Sequence, residues 1–272
     1  MCQWGNIILG RMPLLKLWVT EDYSLQQGIS MTAKRLDLRL SLLQNLSVEA
    51  LVDAMNPMSY QKVYMEGVHS LFPEQKLVGQ AVTLRFLPVR EDLKTETRIG
   101  EDSPEYKAIE ACGPGMILVA DAMGVPYASI GGDIKFSRLK KNGAAGIVTD
   151  GAIRDARVLR ESGLKLFARG VTAKIGSLEI LPFEVNGYIQ CGGVLVKPND
   201  YIVAEHDGVV VIPNEIIDRV IDDAISHEEL EVVVNKQLEI ENVSPGKYYP
   251  FFEGANLERI KKLKKKFNKK PD

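Results

Sequence analysis

The feature that most constrains this chain is a change of hydrophobic period near residue 78. Upstream, over residues 37–55, Leu38, Leu42, Leu43, Leu46, Val48, Leu51, Val52 and Met55 recur mostly at three- and four-residue spacing, which is the pattern of two short helices. Ser47 is placed to cap the second of them, beginning at Val48. Downstream the pattern becomes short apolar runs closed by glycine, proline or aspartate. These are VGQAVTLRFLPV (78–89), MILVADA (116–122), AGIVTD (145–150), LKLFARG (164–170), YIQCGGVLVK (188–197), DYIVAEHD (200–207) and GVVVIP (208–213), and they read as strands. Helices are expected between and after them, over 104–112, 135–141, 156–162 and 214–238. Strands alternating with helices and then following one another specify an α/β chain whose sheet is mixed rather than wholly parallel.

Composition narrows the function classes. The 272 residues carry a net charge of −2, so no global basic field exists to attract nucleic acid, which is not expected as a partner. Cys2, Cys112 and Cys191 are few, distant and odd in number, which argues against a disulfide framework and fits a reducing, cytoplasmic compartment. The three histidines, His69, His206 and His227, come from unrelated places, so a three-histidine zinc site is not supported. The apolar start MCQWGNIILGRMPLLKLWVT is interrupted by Arg11, Pro13 and Lys16, well short of the roughly 20 apolar residues a membrane span needs. No membrane segment is expected, and residues 1–30 read either as a poorly ordered extension or as translated sequence upstream of a start at Met31. The ending ERIKKLKKKFNKKPD has one aromatic, Phe267, so it lacks a stacking platform for single strands and reads as a solvated, disordered tail.

Two glycine-flanked acidic turns follow strands: SIGGDIKF (129–136) and TDGAIRD (149–155). Backbone N–H groups at such strand-to-helix turns suit a carboxylate or phosphate. Gly131 and Gly132 allow close approach of the backbone to a ligand. Asp133 and Asp155 each have a second reading as helix caps. Arg154 has none, because a cation ahead of a helix N-terminus opposes the helix dipole and calls for an anion. No GxGxxG, GxxxxGK[ST] or GxSxG occurs at these turns. A guanidinium, two carboxylates and N–H donors suit a small carboxylate substrate and a hard divalent cation.

GGDI at 131–134, NGAAGIVTDGAIRD at 142–155 and NDYIVAEHDGVVVIP at 199–213 resemble the RraA-like family. Its enzymatic members include metal-dependent 4-hydroxy-4-methyl-2-oxoglutarate/4-carboxy-4-hydroxy-2-oxoadipate aldolases with oxaloacetate decarboxylase activity. Their signature is an aspartate, twenty intervening residues, then Arg-Asp, and here residues 134–153 separate Asp133 from Arg154 and Asp155. The resemblance implies a mixed-sheet α/β/β/α sandwich with a swivelling β/β/α core over residues 31–245, followed by a C-terminal extension over 246–272. It implies a homotrimer or hexamer acting on a small 2-oxo acid.

Carried over by position, the resemblance has Asp155 ligate magnesium, manganese or another divalent ion, with Asp133 holding a metal-bound water. Arg154 would lie beside the substrate's keto oxygen, and the backbone around Gly131, Gly132, Ile134 and Lys135 would receive its carboxylate. A further acidic ligand would come from a neighbouring subunit's C-terminal helix. Glu228, Glu229 and Glu231 in HEELEVV are the candidates, with Glu231 preferred among them, and a solvated acidic helix face is the plainer reading of each. Two alternatives stay open: a non-catalytic regulator that binds a ribonuclease or another protein, and a lyase or dehydratase for sugar-derived 2-oxo acids, towards which YYPF (248–251) points.

Overall fold

The computed structural model describes residues 31–92, 100–250 and 254–267. Expectations for residues 1–30 and for the last five residues lie outside these. The chain divides into two compact units, Met1–Leu38 and Arg39–Asp272. The described part of the first is the opening of helix α1 (Met31–Leu43), and the second holds the sheet and its covering helices.

Within the second unit, α2 (Val48–Met55) starts where Ser47 accepts a bond from the Ala50 N–H, and its buried Val48, Leu51 and Met55 form one stripe. Strands β1 (His69–Ser70), β2 (Leu77–Pro88), β3 (Met116–Asp121), β4 (Gly146–Ile153) and β5 (Lys165–Val171) follow, with α3 (Pro104–Ala111), α4 (Asp133–Lys141) and α5 (Ala156–Glu161) between them. Then come β6 (Ile180–Val185), β7 (Ile189–Cys191), β8 (Val194–Val196), β9 (Tyr201–Glu205), β10 (Gly208–Ile212), α6 (Ile217–Ile240) and α7 (Gly254–Phe267).

The sheet order is β1-β5-β4-β3-β2-β9-β10, with β6 also on β2. Strands β2 to β5 run parallel, while β1, β6, β9 and β10 join antiparallel. The mixed sheet expected from the strand order is therefore present. Both faces of its centre are buried. Leu118 and Ala120 pack with Ile109, Phe136 and Leu139 on the helical side. Ile117 and Val119 pack with Val194, Val196, Ile202 and Val209 on the other, which is why β3 and β4 read as unbroken apolar runs. Helix α2 covers β9 and β10, completing the α/β/β/α layering.

Three expectations are corrected. The run 188–197 is a two-stranded hairpin of β7 and β8, broken at Gly192 and Gly193, both at positive φ. Strands β1 and β6 were not foreseen; β6 contains Pro182, which an edge position tolerates. The lysine-rich tail is helical as far as Phe267: in α7, Ile260 is fully buried against Leu230, Val233 and Val234 of α6 and Tyr248. Lys264 pairs with Glu229. Leu257, Ile260 and Leu263 share one face, so the lysines occupy the other. Truncating this anchor by Ile260→Ala should cost the α6–α7 contact about 2–5 kcal/mol. Amide hydrogen exchange should then lose protection across α7 and keep it in β3 and β4; equal loss in both would show that the helix is integral to the main core.

Candidate functional site

Strand β4 delivers TDGAIRD to the C-terminal edge of the parallel strands, where open α/β sheets place their ligands. The register to β5 shifts between Thr149 and Ala152. Asp150, within that bulge, is 1% exposed. It accepts bonds from the Ala122 N–H at 2.7 Å, the Gln190 side chain at 3.2 Å and the Gly192 N–H at 3.3 Å. Its neighbour Asp121 accepts from the Met123 and Gln190 N–H groups; burial, then the charge of Asp150, pushes the Asp121 carboxyl above its usual range. Together they fasten the β7–β8 hairpin and the turn after β3 beneath the site. Sequence reasoning missed both, since buried aspartates at strand ends look like ordinary turn residues.

Beyond the bulge the two charged loops are zipped together. Ala152 N–H donates to Ala128 O, Ile130 N–H to Ala152 O, and Arg154 N–H to Gly131 O at 3.0 Å. Residues 128–131 thus run beside the end of β4, with Ser129 bridged in parallel to Ala152. Helix α4 then descends and β4 returns, so the spacing from Asp133 to Arg154 and Asp155 is one helix and one strand.

Helix α4 begins at Asp133, with Gly132 in the cap position. Asp133 is therefore its first helical residue rather than its cap, and its Oδ1 accepts from the Ile134 N–H at 2.8 Å. Asp155 occupies the cap position of α5, but with φ 55 and without capping it. A non-glycine residue in the left-handed region costs about 1–2 kcal/mol. The turn sends the carboxylate across to the other loop, where Oδ2 accepts from the Asp133 N–H at 3.4 Å. Gly132 makes room for it, because a Cβ there would stand 2.4 Å from that oxygen; at Gly131 a Cβ would stand 2.6 Å from the Phe136 ring.

Arg154 is half-buried, and its Nε is shielded from solvent without an acceptor among the described residues. An unmet donor of this kind costs stability and suits an incoming anion. Beside it lies an open cleft of about 400 Å³, lined by Arg154, Asp155, Val171, Thr172 and neighbouring aliphatic side chains. The Lys135 ammonium is turned away to Glu105 at 2.6 Å, so only its backbone N–H can serve a ligand. Ile134 is 85% exposed at the same helix start.

The three candidate glutamates of α6 are sorted by their partners. Glu228 accepts from the Ser47 N–H at 2.9 Å, and Glu229 pairs with Lys264. Glu231 sits on an exposed stretch of α6, yet desolvation and then the charges of Glu228, Asp53 and Glu49 lift its carboxyl above the usual range. Such a group gains from a cation. No cluster of three or more metal-ligating side chains forms among the described residues. Asp133 and Asp155 on one chain are hard oxygen donors of the number that suits magnesium, which keeps several waters.

The model of the RraA-like family, described as Aldolase/RraA, matches residues 48–211. A relative from Halalkalibacterium halodurans, provisionally named 4-hydroxy-4-methyl-2-oxoglutarate aldolase, is 39% identical over 114 residues, covering 42% of this chain and 54% of the relative. The chain thus spans about half the length of that relative. Another from Hahella chejuensis with the same provisional name is 32% identical over 117 residues, 42% of this chain and 68% of its own. The crystal structure of Streptomyces coelicolor RraAS2, described as an unusual member of the RNase ES inhibitor RraA protein family, superposes with a TM-score of 0.66. It is 32% identical, over 71% of this chain and 93% of that one. No described helix is long and apolar enough to cross a membrane.

Proposed function

This chain belongs to the RraA-like family, and we propose that it is a divalent-metal-dependent pyruvate aldolase, a C–C lyase that cleaves a 4-hydroxy-2-oxo acid to pyruvate and a second oxo compound and decarboxylates oxaloacetate as a side reaction. Asp155 carries the reading: its backbone adopts a strained conformation whose effect is to turn the carboxylate from its own helix towards Asp133. The provisional aldolase names of the relatives support it. In the assembled enzyme, a homotrimer or hexamer on this reading, Glu231 of one subunit reaches a neighbour's site.

A divalent ion held by Asp155, with Asp133 fixing a water beside it, would supply Lewis-acid polarisation of the substrate's 2-keto oxygen and carboxylate. The substrate carboxylate sits against the N–H groups that open α4, where the helix dipole favours an anion. Arg154 faces the keto oxygen. When the C3–C4 bond breaks, the electron pair passes into the pyruvate enolate, and the guanidinium stabilises the growing negative charge without having to reorganise. Asp133 takes the 4-hydroxyl proton through water and returns a proton to C3. In the oxaloacetate reaction carbon dioxide leaves in place of the oxo compound.

Pyruvate release from oxaloacetate and from a 4-hydroxy-2-oxo acid, followed by a coupled dehydrogenase, should require magnesium or manganese, stop with chelator and return on readdition of the ion. The likeness to Streptomyces RraAS2 favours a second reading, a non-catalytic protein that binds a ribonuclease or another partner. Silence towards every oxo acid, together with a stoichiometric co-purifying protein, would select it.

A further inference from the structure

Past Arg154 and Asp155 the cleft is walled by aliphatic surface. Val171 closes β5 in register with Ile153, one residue from Arg154, and is 59% exposed. Ala156 and Ala173 continue the lining. Thr172 adds its methyl group, since its hydroxyl donates to Tyr127 O at 3.3 Å and accepts from the Lys174 N–H at 3.1 Å. Neither flanking cation lines the cleft. Lys174 pairs with Glu179 at 3.6 Å and lies over the Tyr127 ring, and the exposed Arg157 follows Ala156 on α5 without lining the cleft.

On the reading of this cleft as a pyruvate-forming site, we infer that its substrate is a monocarboxylic 4-hydroxy-2-oxo acid whose far end is an uncharged aliphatic group, and that Val171 sets this preference. Arg154 and the start of α4 take the pyruvate end, so the substituent on C4 lies against Val171 and Ala173. A second carboxylate there would lose hydration beside aliphatic carbon with Arg154, the cation in the lining, already committed to the pyruvate end, whereas an alkyl group gains by leaving water. A cleft of about 400 Å³ lies towards the small end of ligand sites and suits a pyruvate unit with a short chain. Cleavage breaks C3–C4, the 4-hydroxyl loses its proton, C3 gains one, and C4 leaves as a short aliphatic aldehyde or ketone.

The test pairs turnover with binding. Pyruvate release with magnesium is measured for 4-hydroxy-2-oxo acids bearing methyl, propyl or carboxylate on C4. Calorimetry with magnesium compares 2-oxohexanoate with 2-oxoglutarate, which need no turnover. The wild type should favour propyl over carboxylate in kcat/KM by about tenfold or more, and 2-oxohexanoate over 2-oxoglutarate in affinity by a similar factor. Val171→Lys, at an exposed position, should reverse both orders. Equal or tighter binding of 2-oxoglutarate by the wild type would overturn the inference; if Arg157→Ala then restored the aliphatic preference, Arg157 would be the cation responsible. Absence of pyruvate from every acid, with 2-oxohexanoate still bound more tightly, would sink the aldolase reading and with it the 4-hydroxy-2-oxo acid substrate, while the aliphatic preference assigned to Val171 would stand.

Discussion

Arg154→Ala should lower kcat for magnesium-dependent pyruvate release by about 10²–10³, the usual effect of deleting a preorganised donor to a developing oxyanion. Urea midpoint and circular dichroism should stay near those of the parent. The bond that Arg154 contributes to the fold is made by its backbone N–H to Gly131 O, which alanine retains. The side chain's Nε has no acceptor among the described residues, so removing it leaves no protein acceptor orphaned and relieves an unmet donor. Its effect should therefore fall on the reaction. Arg154→Lys should recover part of the rate by restoring the charge, but not the planar fork that meets carboxylate and keto oxygens together. Wild-type turnover by the alanine variant would remove Arg154 from the chemistry.

The sequence disclosed the parts of this site that depend on local pattern. The glycine-flanked acidic turns after two apolar runs are legible, as is the spacing from Asp133 to Arg154, which the structure fills with one helix and one returning strand so that both loops meet at one edge. What it hid depends on side chains crossing between segments. Asp150 reads as a turn residue, yet it is buried and holds a hairpin some forty residues away. Glu228 and Glu229 look equivalent to Glu231 until Ser47 and Lys264 claim them. The tail misled because its lysines dominate its composition, while Leu257, Ile260 and Leu263, spaced by three, lay down a helical stripe that α6 buries. The helical period is present beneath the lysine-rich composition.

The pairing of Gly132 with Asp155 yields the most discriminating expectation. Asp155→Ala should abolish the response to magnesium, with a rate loss of about 10³ or more if the carboxylate is the direct ligand. Gly132→Ala should reproduce part of that loss without touching a ligand. Its backbone, at φ −143, accepts any residue, and the atom that the new Cβ would meet at 2.4 Å is the Asp155 carboxylate oxygen, with Asp155 Cγ and Arg154 Cβ next at 3.4 Å. The end of a flexible side chain can rotate aside, so stability should change by less than about 1 kcal/mol. Magnesium affinity should weaken by about 10- to 100-fold, as when the groups that orient a ligand are disturbed. In the double variant the carboxylate is gone and the alanine at position 132 has nothing to displace. Gly132→Ala/Asp155→Ala should then be no worse than Asp155→Ala alone, a coupling as large as the whole Gly132 effect. Calorimetric titration of magnesium and single-turnover pyruvate release close the cycle. Additive losses would mean that Gly132 serves the substrate's approach to the backbone rather than the placement of Asp155, and the metal would have to be sought elsewhere on the loop.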